Sequence, residues 1–167
     1  MKIAIISDSH DNIYNAGKFL DFAQKNAIEM VIHCGDLASA LILLNEFGPK
    51  FKGPFHFVHG NVADREKNEE IAKGFPQITC HGDVGKLEIE GQKIGFCHYP
   101  DQARVMAESG DYNLVFYGHN HKPWMETLPN GCQLINPGTL AGLFNKATFT
   151  LYDTKNKSLE LKIVEVI

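Results

Sequence analysis

An α/β fold built on mixed β-sheets is what this 167-residue sequence predicts. Three observations carry the prediction. Over the first two thirds of the chain, short apolar runs alternate with amphipathic segments. The last third is richer in strand-like runs separated by turn residues. Hydrophobic residues make up 44% of the chain, the share of a globular protein with a packed core. The pattern leaves open whether two sheets pack face to face. The length suits one domain spanning residues 1–167 and is short for two, and neither repeats nor a linker divide it.

The elements follow from local patterning. Lys2–Ser7 reads as a buried strand, and Asn12 to about Ala27 as a helix capped by Asp11 or Asn12, with Ala16, Phe19, Leu20 and Ala23 along one face. Glu29–Cys34 is the next strand, Ala38 to about Phe47 a second helix, and Gly48-Pro49 and Gly53-Pro54 mark turns before the strand Phe55–His59. A polar helix covers Arg65 to Lys73. Gly85–Glu90 and Gln92–Cys97 form a hairpin about Glu90-Gly91; a helix near Gln102–Ser109 leads into the strand Asn113–Tyr117; two more hairpins turn at Pro129-Asn130-Gly131 and around Thr154–Lys157.

Composition narrows the function. The apolar runs are all shorter than the roughly 18–20 residues that cross a membrane, and the start reads as a strand rather than a signal peptide, so a cytoplasmic protein is expected. The four cysteines show neither Cys-x-x-Cys spacing nor disulfide density and read as free buried thiols. A formal net charge of −4 and the lack of basic runs argue against long nucleic acid as a partner, so an anionic ligand would be drawn in by a local charge such as a metal. The unusual feature is the eight histidines.

Five apolar strands each run into residues able to bind a metal: Asp8-Ser9-His10, Gly35-Asp36, Gly60-Asn61, His98, and Gly118-His119-Asn120-His121. Ligands of α/β sheets sit beyond the carboxyl ends of the strands, so five loops would present these groups at one edge. Glycine precedes the polar residue in three cases, where a sharp exit needs positive φ or close backbone approach. Taken singly the motifs are weak: Asp-x-His is a common turn or cap, and Gly-Asp and Gly-Asn are ordinary turn dipeptides. Together, carboxylates and imidazoles suit zinc, manganese, iron, cobalt or nickel rather than calcium. Seven candidate ligands exceed the needs of one ion with open positions and suit two ions sharing a carboxylate. His33 and His59 are expected to pack or hydrogen-bond near the site, His56 and His81 to be surface or strand residues, and His81-Gly82-Asp83 to be a turn. Asp11 and Asp64 read equally as supports for ligands or as helix caps.

In this order the five motifs resemble the calcineurin-like metallophosphoesterase superfamily, and the short chain and Asn136-Pro137-Gly138-Thr139 are similar to its small YfcE-type phosphodiesterase branch. The resemblance covers nearly the whole chain. It implies two mixed sheets packed as a sandwich flanked by helices, and a phosphodiesterase acting on small phosphodiesters through a hydroxide that bridges two divalent ions, manganese first, with zinc, iron, nickel or cobalt as alternatives. One ion would take Asp8, His10, Asp36 and His121, the other Asp36, Asn61, His98 and His119, with Asp36, Asn61 and His119 acting on the substrate. Two departures stand out. Val62 occupies a position where many relatives have a histidine thought to protonate the leaving group. Cys97-His98-Tyr99-Pro100 replaces the commoner Thr-His-Gly-His, so Tyr99 is expected to narrow the pocket. The alternatives are a phosphomonoesterase and a catalytically weak protein-binding scaffold, as in a retromer subunit of this fold that has lost ligand residues. A homodimer through an exposed late strand is also expected.

Overall fold

The computed structural model describes residues 1–167. Its elements are β1 (Lys2–Ile6), α1 (Ile13–Lys25), β2 (Met30–His33), α2 (Gly48–Lys50) after a π-helical turn at Leu43–Phe47, β3 (Phe55–Phe57), α3 (Arg65–Ala72), β4 (Ile78–Cys80), β5 (Val84–Ile89), β6 (Gln92–Cys97), α4 (Pro100–Glu108), β7 (Leu114–Phe116), β8 (Trp124–Thr127), β9 (Gln133–Asn136), β10 (Thr148–Asp153) and β11 (Ser158–Ile163). Two mixed sheets result. One has the order β11-β10-β1-β2-β3-β4, with β1 to β4 parallel and β10 antiparallel to both β1 and β11. The other has the order β5-β6-β7-β9-β8, parallel across β6, β7 and β9 and closed by an antiparallel strand at each edge.

Alternation along the strands sorts the apolar residues into three layers of contact. Ile3 and Ile5 face the second sheet, joining Ile32, Val58, Ile94, Phe96, Leu114 and Phe116 in the inter-sheet core. Ala4 and Ile6 point the other way, onto Phe19, Leu20 and Ala23 of α1. Val115 and Cys97 on the far side of the second sheet meet Ala103 and Ala107 of α4. A strand buried on both faces must read as a continuous apolar run, which is why β1 and β2 were plain in the sequence. Asn12, rather than Asp11, caps α1 by accepting from the Asn15 N–H. Asp64 caps α3 by accepting from Lys67. Glu90 and Gly91 both take positive φ at the β5–β6 turn, as a two-residue hairpin requires.

One expectation is corrected. The second helix does not run from Ala38 to Phe47: Ala38 has φ 71°, a value no helix accepts, and the helical turns span residues 41–50. Gly48-Pro49 lies inside this segment instead of ending it. The π turn widens the helix so that the Gly48 N–H bonds to Leu43 O, and the missing N–H and bulky ring of Pro49 fall where the regular ladder is already broken. β4, which lacks a local sequence signal, is a three-residue edge strand with only Ile78 buried. No helix is long and apolar enough to cross a membrane.

Phe96 is fully buried between the sheets, and its ring covers Gly85 so closely that any side chain there would collide with it. Phe96→Ala should therefore lower unfolding free energy by about 3–5 kcal/mol, read from urea denaturation. A loss under 1 kcal/mol would show that the two sheets do not depend on this contact.

Candidate metal centre

The loops at the carboxyl ends of β1 and β2, and those of β6 and β7, are laced together in pairs before any side chain is considered. Backbone bonds run from Asp8 N to Gly35 O (3.0 Å), from His10 N to Asp36 O (3.1 Å) and from Gly118 N to His98 O (3.0 Å). Five of the candidate ligands, Asp8, His10, Asp36, His119 and His121, have positive φ. Left-handed backbone costs about 1–3 kcal/mol at a residue other than glycine, and polar residues such as Asp and His bear it best. The strand exits thus owe their sharpness to the ligand residues themselves. Of the three glycines, only Gly35 needs its positive φ, at 100°. Gly60 and Gly118 serve close approach: a methyl group at 60 would strike Asp36 Oδ1, and at 118 it would strike Ser7 Oγ.

All seven side chains converge at this edge. His121 Nε2 lies 3.1 Å from both His10 Nε2 and Asp8 Oδ1. Asn61 Oδ1 lies 3.0 Å from His98 Nε2 and 2.9 Å from His119 Nδ1. Between these two groups sits Asp36, whose Oδ2 is 3.8 Å from His10 Nε2 and 3.4 Å from His98 Nε2. Its other oxygen, Oδ1, accepts the Val62 N–H at 2.8 Å. Asp8 is fully buried and accepts the His119 N–H. Asn61 and His119 are exposed, at the open side where a substrate would arrive.

The donor set fits divalent metal. His98 Nδ1–H donates to Cys34 O at 2.9 Å, so in the neutral ring Nε2 carries a lone pair aimed at two oxygen acceptors. Likewise the Nε2 atoms of His10 and His121 face each other beside a carboxylate. Imidazole nitrogens and carboxylate oxygens converging in this way suit a cation placed among them. The local electrostatics run the same way. Burial opposes protonation of His98, but Asp36, Asp8 and Cys34 O outweigh it and raise its pKa. The hydrogen bond to Asp8 raises that of His121. Burial would raise Asp36, yet His98 and the Val62 N–H hold its pKa below the usual carboxylate value.

Neighbouring residues brace these groups. Gly35 N–H donates to His33 Nδ1, so His33 Nε2–H donates to Ser9 Oγ between the candidate ligands Asp8 and His10. Burial drives the His33 pKa down to about 3, keeping the ring neutral. Asp11 accepts the Ser39 N–H and ties the β1 loop to the β2 loop, a role outside capping. Asn136 donates to Gly118 O and Asn120 Oδ1, and Thr139 donates to Asp8 O. Sequence reasoning did not foresee these two supports, nor those from the Val62 N–H and the Cys34 carbonyl; backbone groups leave no residue-type signal. Tyr99 packs its ring against both His98 and His119, with centroids 5.1 Å away in each case.

The calcineurin-like phosphoesterase superfamily domain matches residues 1–157. The chain belongs to this superfamily. It is a metal-dependent phosphoester hydrolase. Phosphodiesterase MJ0936 of Methanocaldococcus jannaschii is 31% identical over 168 residues, covering 99% of this chain and all of that protein. The solved structure of a novel archaeal phosphodiesterase superposes with TM-score 0.89 at 28% identity, covering 98% of this chain and 99% of its own. The YfcE phosphoesterase of E. coli shares the fold at TM-score 0.69 and 19% identity, over 98% of this chain and 100% of the other.

Because His98 and His121 hold protons above the ordinary histidine pKa, a metal must displace those protons to bind. Affinity should weaken as pH falls through the raised values, and binding just above the ordinary pKa of about 6.5 should release protons. Calorimetric titration with Mn²⁺ in buffers of different ionisation enthalpy measures the release. Equal heats in all buffers at that pH would contradict the assignment.

Proposed function

We propose that the protein is a phosphodiesterase for small phosphodiesters, working with two divalent ions, manganese first among those that suit the donors. Asp8, His10 and His121 would hold one ion and Asn61, His98 and His119 the other, with Asp36 shared. The observation that carries this reading is the position of Asp36 Oδ2, within 4 Å of an imidazole nitrogen from each group. The scaffold alternative calls for a degraded ligand set, and here the seven side chains converge. Residues 1–167 are read as one metallophosphoesterase domain, supported by the core shared between the sheets. A homodimer through an edge strand and a cytoplasmic setting belong to the same proposal; Trp124 and Met125 exposed on the edge strand β8 support the first, and four free thiols the second.

When bound, two such ions would lower the pKa of water held between them and offset the charge on the phosphoryl oxygens. The protein's own residues do the rest. Asp36, with its pKa held low, stays ionised as the shared anion. Asn61 and His119, exposed at the rim, would bind and orient the phosphoryl group, and proton delivery to the departing oxygen would fall to water or to His119 or its neighbours. Val62 offers its N–H to Asp36 and only an apolar side chain to the substrate, so it cannot protonate an alkoxide. Phenolate leaving groups, which depart without a proton, should therefore be favoured.

The test is hydrolysis of bis-p-nitrophenyl phosphate with and without Mn²⁺. Asp36→Asn and His98→Ala should each reduce kcat/KM by more than the roughly 10–100-fold typical of removing a mere supporting partner of a metal ligand. Activity at wild-type level in either variant would overturn the proposal. Faster turnover of p-nitrophenyl phosphate than of the diester would shift the reading to a phosphomonoesterase.

A further inference from the structure

A second cluster of metal-binding side chains lies outside the phosphoesterase centre. His59 follows β3, Glu69 lies on α3 and Cys80 ends β4, and their ligand atoms all fall within 4.8 Å of one another. His59 Nε2 is 2.9 Å from Glu69 Oε1 and 3.4 Å from Cys80 Sγ. We propose that His59, Glu69 and Cys80 bind a zinc ion, separate from the ions of the active centre, that staples α3 and β4 to the strand delivering Asn61.

The geometry separates this reading from two others. In a cysteine–histidine–carboxylate triad the thiol and the acid sit on opposite ring nitrogens, one to give up its proton and one to orient the ring. Here both converge on Nε2, while Nδ1 is buried without a partner. A simple histidine–glutamate ion pair explains only half of the arrangement. One Nε2–H satisfies the carboxylate and leaves the sulfur beside it unexplained; if the thiol donates to Nε2 instead, a lone pair faces the carboxylate. A cation in the middle resolves both. Tetrahedral zinc with bonds of about 2.0–2.3 Å sets its ligand atoms about 3.3–3.8 Å apart; the His59–Cys80 distance of 3.4 Å already falls in that range and the His59–Glu69 distance of 2.9 Å needs a small expansion.

The chemistry of the set favours zinc over the harder ions. A thiolate, an imidazole and one carboxylate form a three-ligand site with a fourth position for water or a further donor. The Gly82 N–H points at Cys80 Sγ at 3.5 Å, the kind of support a metal-bound thiolate receives. Access is provided by a surface cleft of about 380 Å³ whose walls include Glu69, Cys80 and Gly82. His59 is 3% exposed, while the Glu69 side chain is 51% exposed, so one ligand is fixed and another can swing to admit the ion.

Sulfur makes the site distinguishable, since the seven candidate ligands of the active centre include no cysteine. Titrating the full chain with Co²⁺ should give a thiolate-to-cobalt charge-transfer band in the near ultraviolet. The band should vanish in Cys80→Ser and persist in Asp36→Asn. Glu69→Gln, at an exposed position on α3, should weaken Zn²⁺ binding to this site tenfold or more while hydrolysis of bis-p-nitrophenyl phosphate with Mn²⁺ stays at wild-type level. A missing band in the wild type, a band that survives Cys80→Ser, or unchanged Zn²⁺ affinity in Glu69→Gln would overturn the proposal. Loss of the phosphoesterase reading would leave this band untouched, so the two fail separately.

Discussion

The Asp36 carboxylate is held from four sides, and the candidate centre depends on that restraint. Its backbone is in the left-handed region with φ 55°, Val62 N–H binds Oδ1, Gly60 lets the carboxylate seat against its backbone where any Cβ would collide, and His98 approaches Oδ2. These contacts come from the ends of β2, β3 and β6, two of them in one sheet and one in the other. The carboxylate can therefore be positioned only when the two sheets are packed. The inter-sheet core of Ile3, Ile32, Phe96 and Phe116 is what makes the distance from Asp36 to His98 a fixed quantity. Stability of the sandwich and readiness of the site are the same property seen at two places.

The site also shows where local strain accumulates. Five candidate ligands at positive φ store on the order of 5 kcal/mol or more. That strain persists because cross-loop backbone bonds and buried braces such as His33–Ser9 and Asn136–Gly118 leave no relaxed alternative. Opposing lone pairs and carboxylates add to it in the metal-free protein. A bound cation relieves the electrostatic part, so metal and folded structure should support each other.

Much of this was legible in the sequence for a physical reason. Strands buried on both faces must be apolar throughout, and a site at strand ends must change abruptly to polar residues, so β1, β2 and their ligands announced each other. The β5–β6 hairpin was legible through Glu90-Gly91. Features without such a local signal were missed. β4 is a short half-exposed edge strand whose pairing with β3 is a tertiary matter. Because β4 was unseen, Cys80 gave no hint that it lay beside His59 and Glu69. Gly48-Pro49 reads as a breaker until the π turn that accommodates it is known. The pairing of β10 with β1, at opposite ends of the chain, has no local trace at all. Asp11 resembled a cap because aspartate before a helix usually is one; only the fold shows it bound to Ser39.

The central claim, that Asp36 joins two ions, is tested most directly by electron paramagnetic resonance of the protein loaded with Mn²⁺. Two ions per chain about 3.5–4 Å apart through a shared carboxylate should give the multiline signal of a spin-coupled pair. A spectrum of isolated, uncoupled Mn²⁺ at one ion per chain would contradict the account.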